Sequence, residues 1–223
     1  MRYIYLLPAA FLAPVIHEWV KALVSTMLGD PTPRKNGFLT FNPLRYFEPI
    51  GFMFVILFGY GWGRPVPTAA LHYKNRRHGV ILTYMIPVLV SLLLGVASIA
   101  GVALIITRMD GPVHHSQVIR LFRVLTLYFN SWTTDVSLIF VVVLANFALV
   151  NLNLALINLI PVYPMAANKL LLTFGRPDTI AKVNHYEKPM QIVLVLLLAF
   201  GIILGIFWPI TSRIIIFSWG LVA

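Results

Sequence analysis

Two residues that can do chemistry lie side by side in the first apolar segment of the chain, His17 and Glu18. Such a pair among Leu, Ala, Val and Ile is costly to bury and therefore usually has a function. It forms the first half of H-E-x-x-H, the helical motif in which two His bind zinc and Glu acts as general base. The position of the second His holds Lys21. A protonated lysine has donors but no acceptor, so it cannot bind a metal ion. The zinc motif is therefore half present.

The composition predicts that these residues lie in a membrane. Of the 223 residues, 59% are hydrophobic and 11% are charged, and the mean hydropathy is +0.86. Long apolar runs have about the 17–25 residues that a membrane helix needs. We expect an all-α polytopic membrane protein whose surroundings are the lipid bilayer. The runs cover 3–28, which the His-Glu-Lys cluster interrupts, and 80–107, 136–159 and 191–207.

The net charge of +10 does not indicate nucleic-acid binding, because the basic residues lie mostly in short connections between apolar runs. Short cytoplasmic loops beside anionic lipid carry such an excess of Lys and Arg. The pattern places the loops 29–48 and 63–78 in the cytoplasm. The absence of cysteine excludes disulfides, thiolate metal sites and a cysteine nucleophile.

We expect residues 1–223 to form a single integral-membrane domain with about five to six helices. The segment 49–62 is apolar but short for a full span, so it is predicted to be re-entrant or interfacial. A small loop or β-hairpin is expected around 30–48, where an apolar run ends in an Asn-Pro turn. The expected parts are the motif helix 3–28, the loop and re-entrant segment 29–78, the core helices 79–107 and 136–160, and the C-terminal helices 164–223.

Several landmarks follow one another in the order of one family, and by them the chain resembles the site-2 proteases, the intramembrane zinc metalloproteases. The likeness covers about residues 10–172. It implies a helical membrane core of the site-2 protease type. The landmarks are His17-Glu18-x-x-Lys21-Ala22, Leu28-Gly29-Asp30-Pro31-Thr32, Gly37-Phe38-Leu39-Thr40-Phe41-Asn42-Pro43-Leu44, Glu48-Pro49-Ile50-Gly51, Gly61-Trp62-Gly63-Arg64-Pro65-Val66-Pro67 and Asn158-Leu159-Ile160-Pro161-Val162-Tyr163-Pro164-Met165-Ala166-Ala167.

The chain departs from this family where the chemistry takes place. The resemblance implies that two His and an Asp bind zinc and that Glu18 is the ancestral general base. Lys21 replaces the second His, and Ala166 replaces the Asp. His17 is then the remnant of three ligands, and no cofactor is predicted. By the same resemblance, and by the shared helical face of two Asn, a groove for a substrate or partner is expected at Pro87, Val90, Asn151, Asn158, Pro161 and Pro164.

Helical spacing suggests what the altered motif does instead. Glu18 and Lys21 are three residues apart and share a helix face, so their side chains can form an ion pair. We interpret Lys21 as a covalent stand-in for the zinc ion, which keeps the helix packed without metal. Three alternatives remain open: an incidental Glu18–Lys21 contact after loss of the ligands, a remodelled zinc site, and a nucleophilic dyad of Lys21 with Ser25.

These observations predict a pseudoprotease of the site-2 protease family in the bacterial cytoplasmic membrane. It would bind membrane-protein segments, or pair with an active protease or another transmembrane protein. The alternative function is an active intramembrane zinc metalloprotease with a remodelled site, which would hold zinc. A transporter or channel built on the same core is less favoured, because the sequence lacks a second pathway of buried charges.

Overall fold

The computed structural model describes residues 2–40, 42–111, 113–128, 135–175, 180, 183 and 185–222, and these contain helices but no strand. Two short 3₁₀ helices, Pro43–Tyr46 and Ala70–His72, and a π-helical turn, Val124–Tyr128, connect the α-helices. The α-helices of the described residues are α1 (Arg2–Met27), α2 (Thr32–Lys35), α3 (Pro49–Phe58), α4 (Arg76–Asp110), α5 (His115–Arg123), α6 (Val136–Ile157), α7 (Ala166–Phe174), α8 (Glu187–Ala199) and α9 (Ile202–Gly220).

Four of these helices are long and apolar enough to cross a membrane, so the protein is an all-α polytopic membrane protein. The four stretches are Tyr3–Met27, Arg76–Met109, Val136–Ile157 and Ile202–Gly220. A bilayer core needs about 20 apolar residues in a helix, because the backbone finds no water there. The expected membrane class and all-α fold are confirmed.

Helix α4 packs along α6, and α1 packs against both. Caps fix where the two central helices begin: the side chain of Asn75 accepts from the His78 amide, and Asp135 accepts from the amides of Ser137 and Leu138. Such caps satisfy amides that have no partner within the helix. The side of α1 that faces this core carries small residues, among them Ala9 and Ala13, which are fully buried. The motif residues therefore lie on a helix that packs against both central helices.

The segment after α3 turns straight back along that helix. Gly59 ends α3 in the left-handed region at φ 75°, and its carbonyl accepts from Asn153 Nδ2 at 2.9 Å. The returning chain lies so close that a Cβ on Gly51 would be 2.1 Å from the Trp62 carbonyl oxygen, and one on Gly61 would be 2.1 Å from the Gly51 carbonyl oxygen. At ten residues, α3 is shorter than a span. This geometry suits a re-entrant segment.

Adding a methyl group to this return is expected to destabilise the fold. Gly61→Ala places a Cβ against backbone, which cannot move aside as a flexible side chain can, so we expect a loss of about 2–3 kcal/mol in unfolding free energy. The control is Gly205→Ala in α9, where a Cβ meets nothing within 4 Å and should stabilise by up to about 1 kcal/mol. Thermal unfolding in detergent measures both; equal melting temperatures would contradict the close return.

Of the loop or β-hairpin expected around 30–48, the loop is what forms. The described residues of that segment form α2, bends and the 3₁₀ helix Pro43–Tyr46. The Asn42 side chain accepts from the Leu44 amide and so begins that helix, where the sequence suggested a turn between strands. The core helices also have shifted ends. Helix α4 extends beyond 79–107 at both ends, and α6 ends at Ile157, three residues before 160.

Candidate functional site

Helix α1 buries the three motif side chains together, at exposures of 1% for His17, 5% for Glu18 and 3% for Lys21. Lys21 Nζ donates to Glu18 Oε1 at 2.6 Å. The three-residue spacing puts both groups on one face, one turn apart. Two opposite charges are therefore paired directly where an isolated charge would be very costly.

The second oxygen of Glu18 is also bonded, to the loop that follows the return of the chain. The Val66 amide donates to Glu18 Oε2 at 3.0 Å. Gly63 permits this approach, because a Cβ there would lie 3.1 Å from Glu18 Cγ and 3.2 Å from Pro14 Cβ. The carboxylate thus joins α1 to the segment 63–66 through one oxygen and to Lys21 through the other.

The His17 ring is fixed on one side only. Its Nδ1 lies 2.9 Å from Ser91 Oγ of α4. Its Nε2 is buried and has no hydrogen-bond partner among the described residues. Buried polar atoms are nearly always bonded, so an unpaired one requires an explanation.

The third ligand position of the resemblance, Ala166, begins α7 in a buried apolar cluster with Tyr84 and Val88. Its amide donates to Asn158 Oδ1 at 3.2 Å, and Asn158 Nδ2 donates to the Leu154 carbonyl at 2.9 Å. Asn158 therefore connects the end of α6 to the start of α7. A methyl group stands at position 166, and it offers no metal ligand.

Among the described residues, those around His17 do not supply the ligand set of a catalytic zinc ion. Such an ion needs three protein ligands and an open fourth position. His17 Nε2 is a free donor atom of the right kind, but Lys21 Nζ is held by Glu18 and Ala166 has no donor. In the part of the chain that the structure describes, no group of three or more His, Asp or Glu side chains could hold a metal ion.

A cleft of about 290 Å³ opens beside the ion pair. The buried side chains of Lys21 and Tyr84 line it. The rest of its lining comes from the segment 65–68 and from Tyr163, Pro164 and Lys169. The Tyr84 ring lies 5.5 Å from Lys21 Nζ, and its hydroxyl lies 2.9 Å from Thr68 Oγ1. Lysine and hydroxyl groups therefore face the same space.

The structure brings one of the six predicted groove residues to this cleft, Pro164. Asn151 is buried and bonds within α6, to the Phe147 carbonyl at 2.9 Å. Pro87 is buried in α4, and Pro161 is exposed. Val90 is half-buried, and Asn158 holds the α6–α7 junction described above. A binding role for these residues stays a prediction.

A second buried carboxylate, Asp30, was expected in an open loop but is fully buried. Its Oδ1 accepts from the Thr32 amide at 2.9 Å. Its Oδ2 accepts from the Ala69 amide at 2.7 Å and from Ser25 Oγ at 2.8 Å. Ser25 Oγ also lies 2.8 Å from Tyr73 Oη. Ser25 thus serves this cluster, and among the described contacts it has no hydrogen bond to Lys21.

The Asp30 cluster predicts a pH dependence of stability. Burial acts to raise the pKa of Asp30, but hydrogen bonds from Thr32, Ala69 and Ser25 outweigh it and hold the pKa below the ordinary value of 3.8. A lowered pKa in the folded state stabilises the protein above pH 3.8, and the stabilisation is lost as pH falls through the folded value. Asp30→Asn should lower the free energy of unfolding by about 1–3 kcal/mol at neutral pH, because its side-chain nitrogen would face groups that donate hydrogen bonds. Unfolding at pH 7 and pH 3 measures this: a variant as acid-sensitive as the wild type would refute it.

Comparison with known proteins supports a relationship to metalloproteases. A protein of Bacillus subtilis (strain 168) named "Putative zinc metalloprotease YwhC" is 26% identical over 209 residues, which are 93% of this chain and 86% of that protein. The chain is thus similar over most of its length to a protein named as a zinc metalloprotease. No family model matches it. No solved structure matches it either.

Sequence reasoning missed the residues that complete the site from outside α1. Val66 bonds Glu18, Ser91 bonds His17, and Tyr84 and Lys169 line the cleft. The segment 61–67 carried one signal, because its two Gly and two Pro indicated a close, stiff approach of backbone. Ser91 and Tyr84 carried none: they are ordinary residues of an apolar helix until α4 is packed against α1.

Proposed function

We propose that the chain is a non-catalytic membrane protein of the site-2 protease type, in which the Glu18–Lys21 ion pair occupies the place of the catalytic metal. The 2.6 Å contact between Lys21 Nζ and Glu18 Oε1 carries this proposal. The kinship with a protein named as a zinc metalloprotease supports the ancestry. The loss of two of three ligands, at Lys21 and Ala166, supports the change of function.

Electrostatics favours these replacements as a set. A metal site without its ion would leave Glu18 and an Asp at position 166 as buried, unpaired charges, each costing several kcal/mol. Lys21 neutralises Glu18, and Ala166 removes the other charge. The result keeps the packing around α1 while it removes the Lewis acid that peptide hydrolysis at such a site uses.

The retained cleft supports binding of a segment of another membrane protein. It lies between α1, α4 and the segment 65–68, beside the former reaction centre. We place the chain in the bacterial cytoplasmic membrane with loops 29–48 and 63–78 in the cytoplasm, because these loops carry many of its basic residues. The cleft then faces the cytoplasmic side.

Zinc content tests the proposal. The wild type is purified in detergent without chelator, supplied with equimolar zinc, desalted and measured by elemental analysis. We expect far less than one zinc per chain. Proteolysis of a transmembrane substrate is assayed for the wild type and Glu18→Gln in parallel. Stoichiometric zinc together with activity that Glu18→Gln abolishes would overturn the proposal in favour of an active protease with a remodelled site, the function that the relative's name favours.

A further inference from the structure

The cleft beside the ion pair carries positive charge without acidic residues in its lining. Lys21 and Lys169 supply two ammonium groups, and the other lining residues are Pro, Val, Thr and Tyr. Pro65 and Pro67 have no amide hydrogen, so the segment 65–68 offers few backbone donors. The strongest donors in the cleft are therefore the two lysines.

Lys21 has donors to spare. An ammonium group has three N–H donors, and within the described residues Glu18 is the one group that accepts a hydrogen bond from Nζ. The Tyr84 ring face lies 5.5 Å from Nζ, where it attracts the cation without using a hydrogen-bond acceptor.

We propose that this cleft binds a peptide carboxylate, with Lys21 at its inner end and Lys169 at its rim. The inference rests on the proposed function, because it needs Lys21 and not a metal ion at this place. Each lysine already has one carboxylate beside it, Glu18 for Lys21 and Glu187 for Lys169, whose Nζ is 3.9 Å from Glu187 Oε1, so a ligand with a single negative charge adds the least repulsion. A doubly charged phosphate would remain poorly balanced. At about 290 Å³ the cleft is at the small end of ligand sites and suits one residue.

Binding of matched peptides to the purified protein tests the inference. The probe is an N-acetylated tetrapeptide composed of Leu and Ala with a free C-terminal carboxylate. The controls are the same peptide with a C-terminal amide, and inorganic phosphate. We expect the acid to bind at least about 10-fold more tightly than the amide, as for one charge-assisted hydrogen bond. A third, amidated peptide with one internal Glu distinguishes the source: binding equal to that of the acid assigns a side-chain carboxylate, and weaker binding assigns the C-terminus.

Variants separate the two lysines. Lys169→Gln should weaken binding of the peptide acid by about 3-fold and leave binding of the peptide amide unchanged, as expected for a partly exposed charge. Lys21→Met combined with Glu18→Gln keeps the pair neutral and should reduce the preference for the acid over the amide to about the 3-fold that Lys169 contributes. Lys35→Gln, an exposed lysine of α2, is the control and should change nothing.

The outcomes distinguish this inference from the proposed function. Equal binding of acid and amide, tighter binding of phosphate, or a preference that neither lysine variant reduces would each overturn carboxylate recognition in a metal-free protein. Zinc content is measured on the same sample. Stoichiometric zinc would overturn the proposed function, whatever the peptides do.

Discussion

Replacing Lys21 by alanine alone is expected to destabilise the protein more than replacing Lys21 and Glu18 together. The single variant Lys21→Ala leaves Glu18 buried at 5% exposure without its counter-ion, which costs about 3–5 kcal/mol for a broken buried pair. In Lys21→Ala/Glu18→Ala no charge remains, and the loss is that of buried packing alone. Unfolding in a graded detergent or urea series, followed by tryptophan fluorescence, measures both.

This comparison also decides between a stand-in for the metal and an incidental contact. Lys21→Met is the matched control for packing, because it keeps the length of the chain and removes the charge. Lys21→Met should be as unstable as Lys21→Ala if the charge of Lys21 stabilises the fold. It should be much more stable than Lys21→Ala if the volume of the side chain does. A single variant no less stable than the double one would show that the pair contributes nothing, and the stand-in interpretation would fail.

Restoring both lost ligands is expected to restore zinc binding. Lys21→His/Ala166→Asp gives the helix the H-E-x-x-H spacing, with His17 already presenting an unpaired Nε2, and adds a carboxylate at the start of α7. We expect about one zinc per chain. Zinc at 1,000 times its dissociation constant would then raise unfolding free energy by about 4 kcal/mol.

The control is Lys21→His/Ala166→Asn, which has nearly the same shape but a neutral amide in place of the carboxylate, a weaker ligand for zinc. It should bind zinc much more weakly and gain little stability from it. Equal zinc content in the two double variants would mean that position 166 does not face the metal site. The assignment of Ala166 to the third ligand position would then be wrong.

The sequence was sufficient to predict the helical membrane fold and the shared face of Glu18 and Lys21, because both follow from local rules: apolar length for the spans and three-residue spacing for the pair. The same local reasoning suggested a possible hairpin around 30–48, where α2 and a 3₁₀ helix form. In that segment Asn42 caps a helical turn. A short apolar run beside Asn and Pro is compatible with either structure.

The rest of the site depends on contacts between distant parts of the chain. Val66 is 48 residues from Glu18, and Ser91 is 74 residues from His17. Nothing in the local pattern of these residues marks them as partners. Asp30 illustrates the same limit: a Gly-Asp-Pro turn is typical of an exposed loop, and its burial follows from Ala69, 39 residues away.

The sequence separation of these contacts also has a consequence for the order in which the protein assembles. The described partners of Glu18 and Asp30 lie between Lys21 and His72, whereas Ala166 joins much later in the chain. Closing the shorter loops costs less entropy, and the N-terminal part leaves the ribosome first. Both buried acids can therefore be satisfied while α6 is still being synthesised, and under the proposed function a nascent chain inserted into the membrane completes this part without a metal ion.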